Sequence, residues 1–378
     1  MDFKEIKNSK GEIMMEMTTD IATREETGIT EVRMRAGRSN LVSSGFAVRT
    51  PLWAGLGTCV DSAPTIEDAI KLAGLDWTAE KRPLFYRDNE VYDVEKETFD
   101  YEYKEIHSHM LTVRSDNNKI LGVVGRNYTP VQNIEAFKFF DNLIENKSVS
   151  LETAGSCFDG KKIWVLARVN NQTKEVIKND PLNSYLLFSN SHDGSMGVRI
   201  MFTPIRVVCY NTLKMALSEA TGNEVMRKAL KIYHTRNVLN VIDASKEVVN
   251  VVNRTFDGSI EVFKQMAKTK MIETEFETYV DKVLGIVQKE PKNEEEEEEK
   301  VRKNFRKELV KSCYETGYGS DIQGVKGTLW GAYNAITEYV DYYKGKEGDN
   351  RLSGSWFGTG AAMKVKAYVE AENILRAA

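Results

Sequence analysis

Ser150-Leu-Glu-Thr-Ala-Gly-Ser-Cys-Phe-Asp-Gly-Lys-Lys-Ile-Trp-Val-Leu-Ala-Arg-Val-Asn170 holds two strand-like runs, 150–155 and 162–170, on either side of Phe158-Asp-Gly160. An Asp-Gly step tolerates the left-handed backbone that a tight hairpin requires, so the stretch predicts two antiparallel strands. The pattern repeats at 185–189 and 196–202, joined through His192-Asp-Gly194. Upstream, Thr129-Pro130 precedes Val131, Ile134, Phe137, Phe140 and Ile144, apolar residues at helical spacing. Downstream, Thr203-Pro204 reads as a helix start with proline in its first turn, continuing through Val208, Leu213 and Leu217. Helix, four antiparallel strands, helix predicts an α+β fold. A central antiparallel sheet packs against helices, and a helical C-terminal region comes after it.

Working outward, residues 65–74 form a short helix capped by Thr65 and ended by Gly74. Residues 82–125 alternate polar and apolar side chains around turns and predict short antiparallel strands. Residues 1–45 are polar and weakly periodic, with Arg33, Arg35 and Arg38, and read as a flexible N-terminal arm. Residues 235–288 look helical, and so do 301–316, 328–339 and the stretch after Gly360. The like-charged run Glu294–Glu299 reads as an exposed acidic loop near 291–300. The expected organisation is an arm at 1–45, an α+β core at 46–218 and a helical region at 219–378.

Four widely separated cysteines (Cys59, Cys157, Cys209, Cys313) form no CxxC pair, which fits a reducing compartment without zinc or disulfides. Met1 to Lys10 has no apolar signal core, and no apolar run is long enough for a bilayer span. A cytoplasmic protein that avoids the membrane is therefore expected. Net charge is −4, so no global positive field draws the chain to nucleic acid, although 52 lysines and arginines leave room for a local groove. Neither GxxxxGK[ST] nor GxGxxG occurs, so no cofactor is expected. Ser191-His192-Asp193 spells the letters of a triad, but turn neighbours cannot converge in the required order. It reads as a hairpin turn whose His192 is available to a partner. His107 and His109 read as surface residues of one strand face, and the carboxylates show no nuclease spacing. No catalytic residue is expected, and the protein reads as a binder.

The remaining constellation is basic and aromatic. Arg126 and Tyr128 precede the first central helix; Lys161, Lys162 and Trp164 lie on the first hairpin; Arg168, Arg199, Arg206 and Lys214 come later in the chain. Cations that track phosphates beside aromatic faces that stack on bases are the chemistry of single-strand binding. The competing reading makes Trp164 a core residue and the cations a solvated sheet face.

Several blocks resemble a known family. They are Leu121-Gly-Val-Val-Gly-Arg-Asn-Tyr-Thr-Pro-Val-Gln-Asn133, Glu152-Thr-Ala-Gly155 with Ile163-Trp-Val-Leu-Ala167, and Tyr185-Leu-Leu-Phe-Ser-Asn-Ser-His-Asp-Gly-Ser195 running into Thr203-Pro-Ile-Arg-Val-Val-Cys-Tyr-Asn-Thr-Leu213. With Trp330-Gly-Ala, Thr337-Glu-Tyr339 and Trp356-Phe-Gly, they resemble a phage- and plasmid-encoded family known as a domain of unknown function. A second resemblance concerns topology. The order of elements over 130–218 is similar to the core of phage single-strand annealing proteins, which form rings or filaments and anneal strands without ATP. That resemblance implies single-stranded DNA as ligand and a homo-oligomer. The alternative is a mobile-element protein that binds a host defence or replication protein, with the acidic run and C-terminal helices as the contact.

Overall fold

The computed structural model describes residues 3–7, 13–17, 44–48, 58–93, 98–207, 231–244, 249–287, 291–346 and 348–377. The strands are β1 (Phe3–Lys7), β2 (Ile13–Met17), β3 (Ser44–Val48), β4 (Thr58–Val60), β5 (Ala79–Asp93), β6 (Thr98–Arg114), β7 (Ile120–Gly125), β8 (Val149–Cys157), β9 (Lys162–Glu175), β10 (Pro181–Ser191), β11 (Val198–Arg206) and β12 (Lys231–Ile232). The helices are α1 (Ile66–Leu72), α2 (Asn133–Lys138), α3 (Asp141–Glu145), α4 (Val238–Ala244), α5 (Val249–Lys268), α6 (Glu273–Leu284), α7 (Glu294–Thr316), α8 (Leu329–Glu338), α9 (Asp349–Phe357) and α10 (Thr359–Ala377). The fold is α+β, with a helical C-terminal region. A seven-stranded sheet runs β12-β11-β10-β9-β8-β3-β4, a three-stranded sheet runs β5-β6-β7, and β1 pairs with β2.

The two predicted hairpins are present. Phe158, Asp159 and Gly160 all take positive φ, as the turn between β8 and β9 demands. Alternation then sorts the side chains of the sheet. On one face Val149, Leu151, Ile163, Val165, Ala167, Leu186, Phe188, Val198, Ile200 and Phe202 join one core with α1, α2, α3 and α5. On the other face Trp164, Leu166, Tyr185 and Leu187 form a second core, closed by Leu352 and Trp356 of α9. Helix α8 is buried at every residue because it lies against α5, α6, α7 and α10.

Several expectations are corrected. The helix expected from Val131 to Ile144 is two short helices, α2 and α3, with Phe139 and Phe140 buried at their junction. The strands expected as short over 82–125 include the long pair β5 and β6. Thr203-Pro204 starts no helix: both residues sit in β11, with Pro204 opposite Ser184. Beyond β11, described pairing reaches only Val198 and Arg199, so the missing N–H of Pro204 interrupts no described ladder on that side. Val208, Leu213 and Leu217 lie outside the described residues, as does Lys214. Past residue 218, Lys231–Ile232 form β12, which pairs with β11. Within 1–45, β1 and β2 form a hairpin and β3 enters the main sheet; Arg33, Arg35 and Arg38 lie outside the described residues.

The acidic run Glu294–Glu299 is the start of α7 instead of a loop. The Asn293 side chain accepts from Glu296 N–H at 2.9 Å, while Glu296 accepts from Lys292 N–H at 2.8 Å. Four glutamates in the first turn face the positive end of the helix dipole, and Glu298–Arg302 and Glu299–Lys303 pair one turn apart.

Two polar devices lock the layers together. The first is a buried knot between sheet and helices. The Arg206 guanidinium meets both Asp180 carboxylate oxygens, Nε at 2.6 Å and a terminal nitrogen at 2.8 Å. It also donates to Tyr318 O at 2.8 Å, and Trp330 Nε1 donates to Asp180 Oδ2 at 2.8 Å. The second docks the three-stranded sheet on the turn after β10. His192 is fully buried, edge-on to Trp77, with Nε2 and Asn133 Oδ1 2.8 Å apart; Thr112 Oγ1 donates to His192 O at 2.7 Å. Gly122 lies so close that a Cβ there would meet the Asp193 Cα at 2.7 Å. His192 is therefore a structural residue and does not reach a partner. Burial, reinforced by neighbouring His234, pulls its pKa from 6.5 down to about 3.

Removing one partner of a buried pair strands the other charge, so Asp180→Ala should lower unfolding free energy by about 3–5 kcal/mol in urea titrations. A change under about 1 kcal/mol would contradict the role of the knot. His192 binds its proton more readily unfolded than folded. Its contribution is thus complete above pH 6.5 and is lost as pH falls toward 3. Unfolding at about pH 5 should be easier by about 2 kcal/mol than at about pH 8 through this group alone. His192→Gln should flatten that dependence, and an unchanged pH slope in the variant would refute the assignment.

Candidate nucleic-acid interface

The turns 158–161 and 191–197 define one end of the large sheet, where β9 and β11 begin and β8, β10 and β12 end. Five cations gather there. Lys161 is exposed on the turn, and Lys162 opens β9 opposite Ser191. Arg199 lies opposite both Ser189 and Lys231, which places it beside an exposed lysine of the edge strand. Arg126 is exposed on the loop after β7, which Lys81 ties down by donating to Arg126 O at 2.6 Å and Tyr128 O at 3.1 Å. The Tyr128 hydroxyl donates to Ser191 O at 2.6 Å, bringing that loop to the same end. Strand spacing puts Lys162 and Lys231 about 15 Å apart.

Arg199 is the unusual member. It is half-buried, and desolvation disfavours its charge. Lys231 lies over the ring of Tyr233 at 5.1 Å, and Tyr233 is 64% exposed. Alternate residues place Lys162, Trp164, Ser189 and Arg199 on the same face. Trp164 Nε1 and Ser189 Oγ on that face are buried and have no hydrogen-bond partner among the described residues. Acid is present too: Asp159 is engaged by Lys119 at 3.2 Å, and Asp193 accepts from Ser195 N–H at 2.9 Å.

Four of the expected contacts are engaged within the chain. Arg206 is fully buried in the knot with Asp180 and cannot reach a phosphate. Trp164 is core, packed edge-to-face on Trp356 at 5.9 Å, so no base can stack on it. One ring face of Tyr128 is occupied by His234, stacked at 4.5 Å. Arg168 sits midway along β9, donating to Thr173 and Asn183 at 3.3 and 3.4 Å. Lys162 keeps its place, although it also reaches Ser353 Oγ at 3.4 Å.

Lys231 and Tyr233 escape a reading that makes 219–378 helical throughout. The alternation Lys231-Ile-Tyr233, with Ile232 buried between an exposed lysine and an exposed tyrosine, is the signal that could have found them. Elsewhere, His107 and His109 are exposed on β6, as expected. Among the described residues, no three His, Cys, Asp or Glu side chains group as a metal site, and no helix is long and apolar enough to cross a membrane. The chemistry open to the sheet end is anion binding: it offers fixed cations and an exposed aromatic ring.

Comparison with curated proteins and with solved structures finds no match. A family model described as a domain of unknown function matches residues 120–369, a span that takes in the four central strands, the sheet end and the helical region through most of α10. The chain belongs to this family, the domain of unknown function DUF932.

Proposed function

We propose that this protein binds single-stranded DNA and anneals it without ATP, in phage or plasmid recombination within a bacterial cytoplasm. The observation that supports this reading most directly is the gathering of Arg126, Lys161, Lys162, Arg199 and Lys231 at one sheet end beside Tyr233. A half-buried arginine gains from an anion that replaces the water it has lost. Phosphates would follow the cations, and a base would stack on Tyr233. The proposed contact set keeps Arg126, Lys161, Lys162 and Arg199, adds Lys231 and Tyr233, and sets aside Tyr128, Trp164, Arg168 and Arg206.

A second reading is a mobile-element protein that binds a host defence or replication protein. In its favour, the first two turns of α7 are exposed and acidic, which suits a basic protein surface.

Fluorescence anisotropy of a labelled single-stranded oligonucleotide at about 50 and about 200 mM salt, with duplex as control, separates the two. The first reading expects tight single-strand binding that weakens steeply with salt. Combining Arg126→Ala, Lys161→Ala and Arg199→Ala should weaken it by about tenfold or more and reduce the log–log salt slope by about 2. Arg168→Ala should change little. Absence of single-strand binding at the lower salt would reject the annealing reading.

A further inference from the structure

The register draws one straight row across the large sheet. Gly155, Trp164, Ser189, Arg199 and Lys231 each lie directly opposite the next. Opposed positions share a face, so the four side chains stand side by side on the face that α9 partly covers. Neighbouring strands are about 4.8 Å apart, which puts each side chain within reach of the next. Ser189 is the small member between Trp164 and Arg199, so the row dips there by the difference in side-chain length.

The polar groups of this row are donors. An indole N–H, a guanidinium and an ammonium can only donate, and a serine hydroxyl can turn its proton outward. No carboxylate stands in the row to receive them. Trp164 Nε1 and Ser189 Oγ are buried without a hydrogen-bond partner among the described residues. Buried polar atoms in that state are rare, and an absent ion or water is one of the few reasons for them. Arg199 is half-buried, and no neighbouring carboxylate offsets the desolvation of its charge. Lys162, two residues before Trp164, is already engaged by Ser353 Oγ and lies over the Phe158 ring at 5.5 Å.

We propose that the dip at Ser189 is a pocket for a single phosphate monoester, the terminal phosphate of a strand, with Trp164 Nε1, Ser189 Oγ and Arg199 as donors and Lys231 at its mouth. A monoester presents three acceptor oxygens and close to two negative charges, which matches three donor side chains. An internal phosphodiester has two unesterified oxygens, one charge and a sugar on either side, too broad for a recess one side chain wide. Because the two inner donors are sealed from solvent, Arg199 swings out to admit the phosphate and then closes on it. Tyr233 lies beside Lys231, so the base of the terminal nucleotide can stack there. The strand that carries the phosphate rests on the nucleic-acid reading above; the donor chemistry of the pocket does not.

Anisotropy of one internally labelled oligonucleotide, carrying a 5′-phosphate, a 3′-phosphate or hydroxyls at both ends, tests the pocket on the full chain. At about 200 mM salt, where internal phosphate contacts are weakened, a terminal phosphate at one end should tighten binding by about tenfold or more. Trp164→Phe and Ser189→Ala, each removing one donor, should shrink that preference, and Arg168→Ala, outside the row, should keep it. Should Trp164→Phe fail to fold, Ser189→Ala decides. Equal binding of all three oligonucleotides would overturn the pocket and leave the nucleic-acid reading standing. If no oligonucleotide binds, that reading fails, and inorganic phosphate decides the pocket. About 10 mM phosphate should then raise the melting temperature of the wild type by about 2 °C more than that of Ser189→Ala. Equal shifts in the two would overturn it.

Discussion

The Asp180 carboxylate, fully buried, receives Arg206 through two hydrogen bonds and Trp330 through a third. That convergence ties helix α8 to the sheet. Arg206 ends β11, Asp180 lies just before β10 and Trp330 opens the buried helix α8, so one charge network joins the two halves of the molecule. A buried ion pair adds little net stability over well-packed apolar groups, but removing one partner leaves the other charge buried and unpaired. The guanidinium also donates to Tyr318 O and Gly319 O, so the loop before α8 is fixed by the same group. Lys364 and Asp341 repeat the device deeper in the helical region, both buried and paired at 2.5 Å.

The helices on both faces of the sheet leave the end at 158–161 and 191–197 open, and cations stay accessible there. The far end of β11 is consumed by the knot, and the middle of the second face is covered by α9 through Leu352 and Trp356. Lys161 and Lys231 remain exposed at the turn end, and Arg199 stays half-buried. The turn end is also where the three-stranded sheet docks, through Trp77, Arg114 and His192. Arg114 lies over the Trp77 ring at 4.3 Å and donates to Asp159 O, so the three-stranded sheet is anchored beside the candidate interface.

Much of the fold is legible in local patterns. The Asp-Gly turns at 159–160 and 193–194, the alternation of β8 to β11, the Thr65 cap and the helical periods of the C-terminal half all report short-range physics, and they predict an α+β chain. The start of α7 is legible as well: Asn293 caps the N–H of Glu296, whose side chain accepts from Lys292 N–H, and the glutamates find basic residues one turn on. The like-charge run masks these signals. Among the candidate contacts, Arg126, Lys161, Lys162 and Arg199 stand out by composition and proximity to turns, and the sheet brings them to the same end.

By itself, then, the sequence determined the class of fold, the hairpins that build the central sheet and the helical character of the C-terminal half, because periodicity and turn chemistry act over a few residues. Only the tertiary structure decided which cations reach solvent. Arg168, Arg199 and Arg206 look alike along the chain, yet one is spent on a strand neighbour, one is left half-buried, and one is sealed against a carboxylate 26 residues earlier and a tryptophan more than a hundred residues later. Trp164 and His192 were decided in the same way: burial depends on the distant segment laid over a side chain, and no local pattern carries that information.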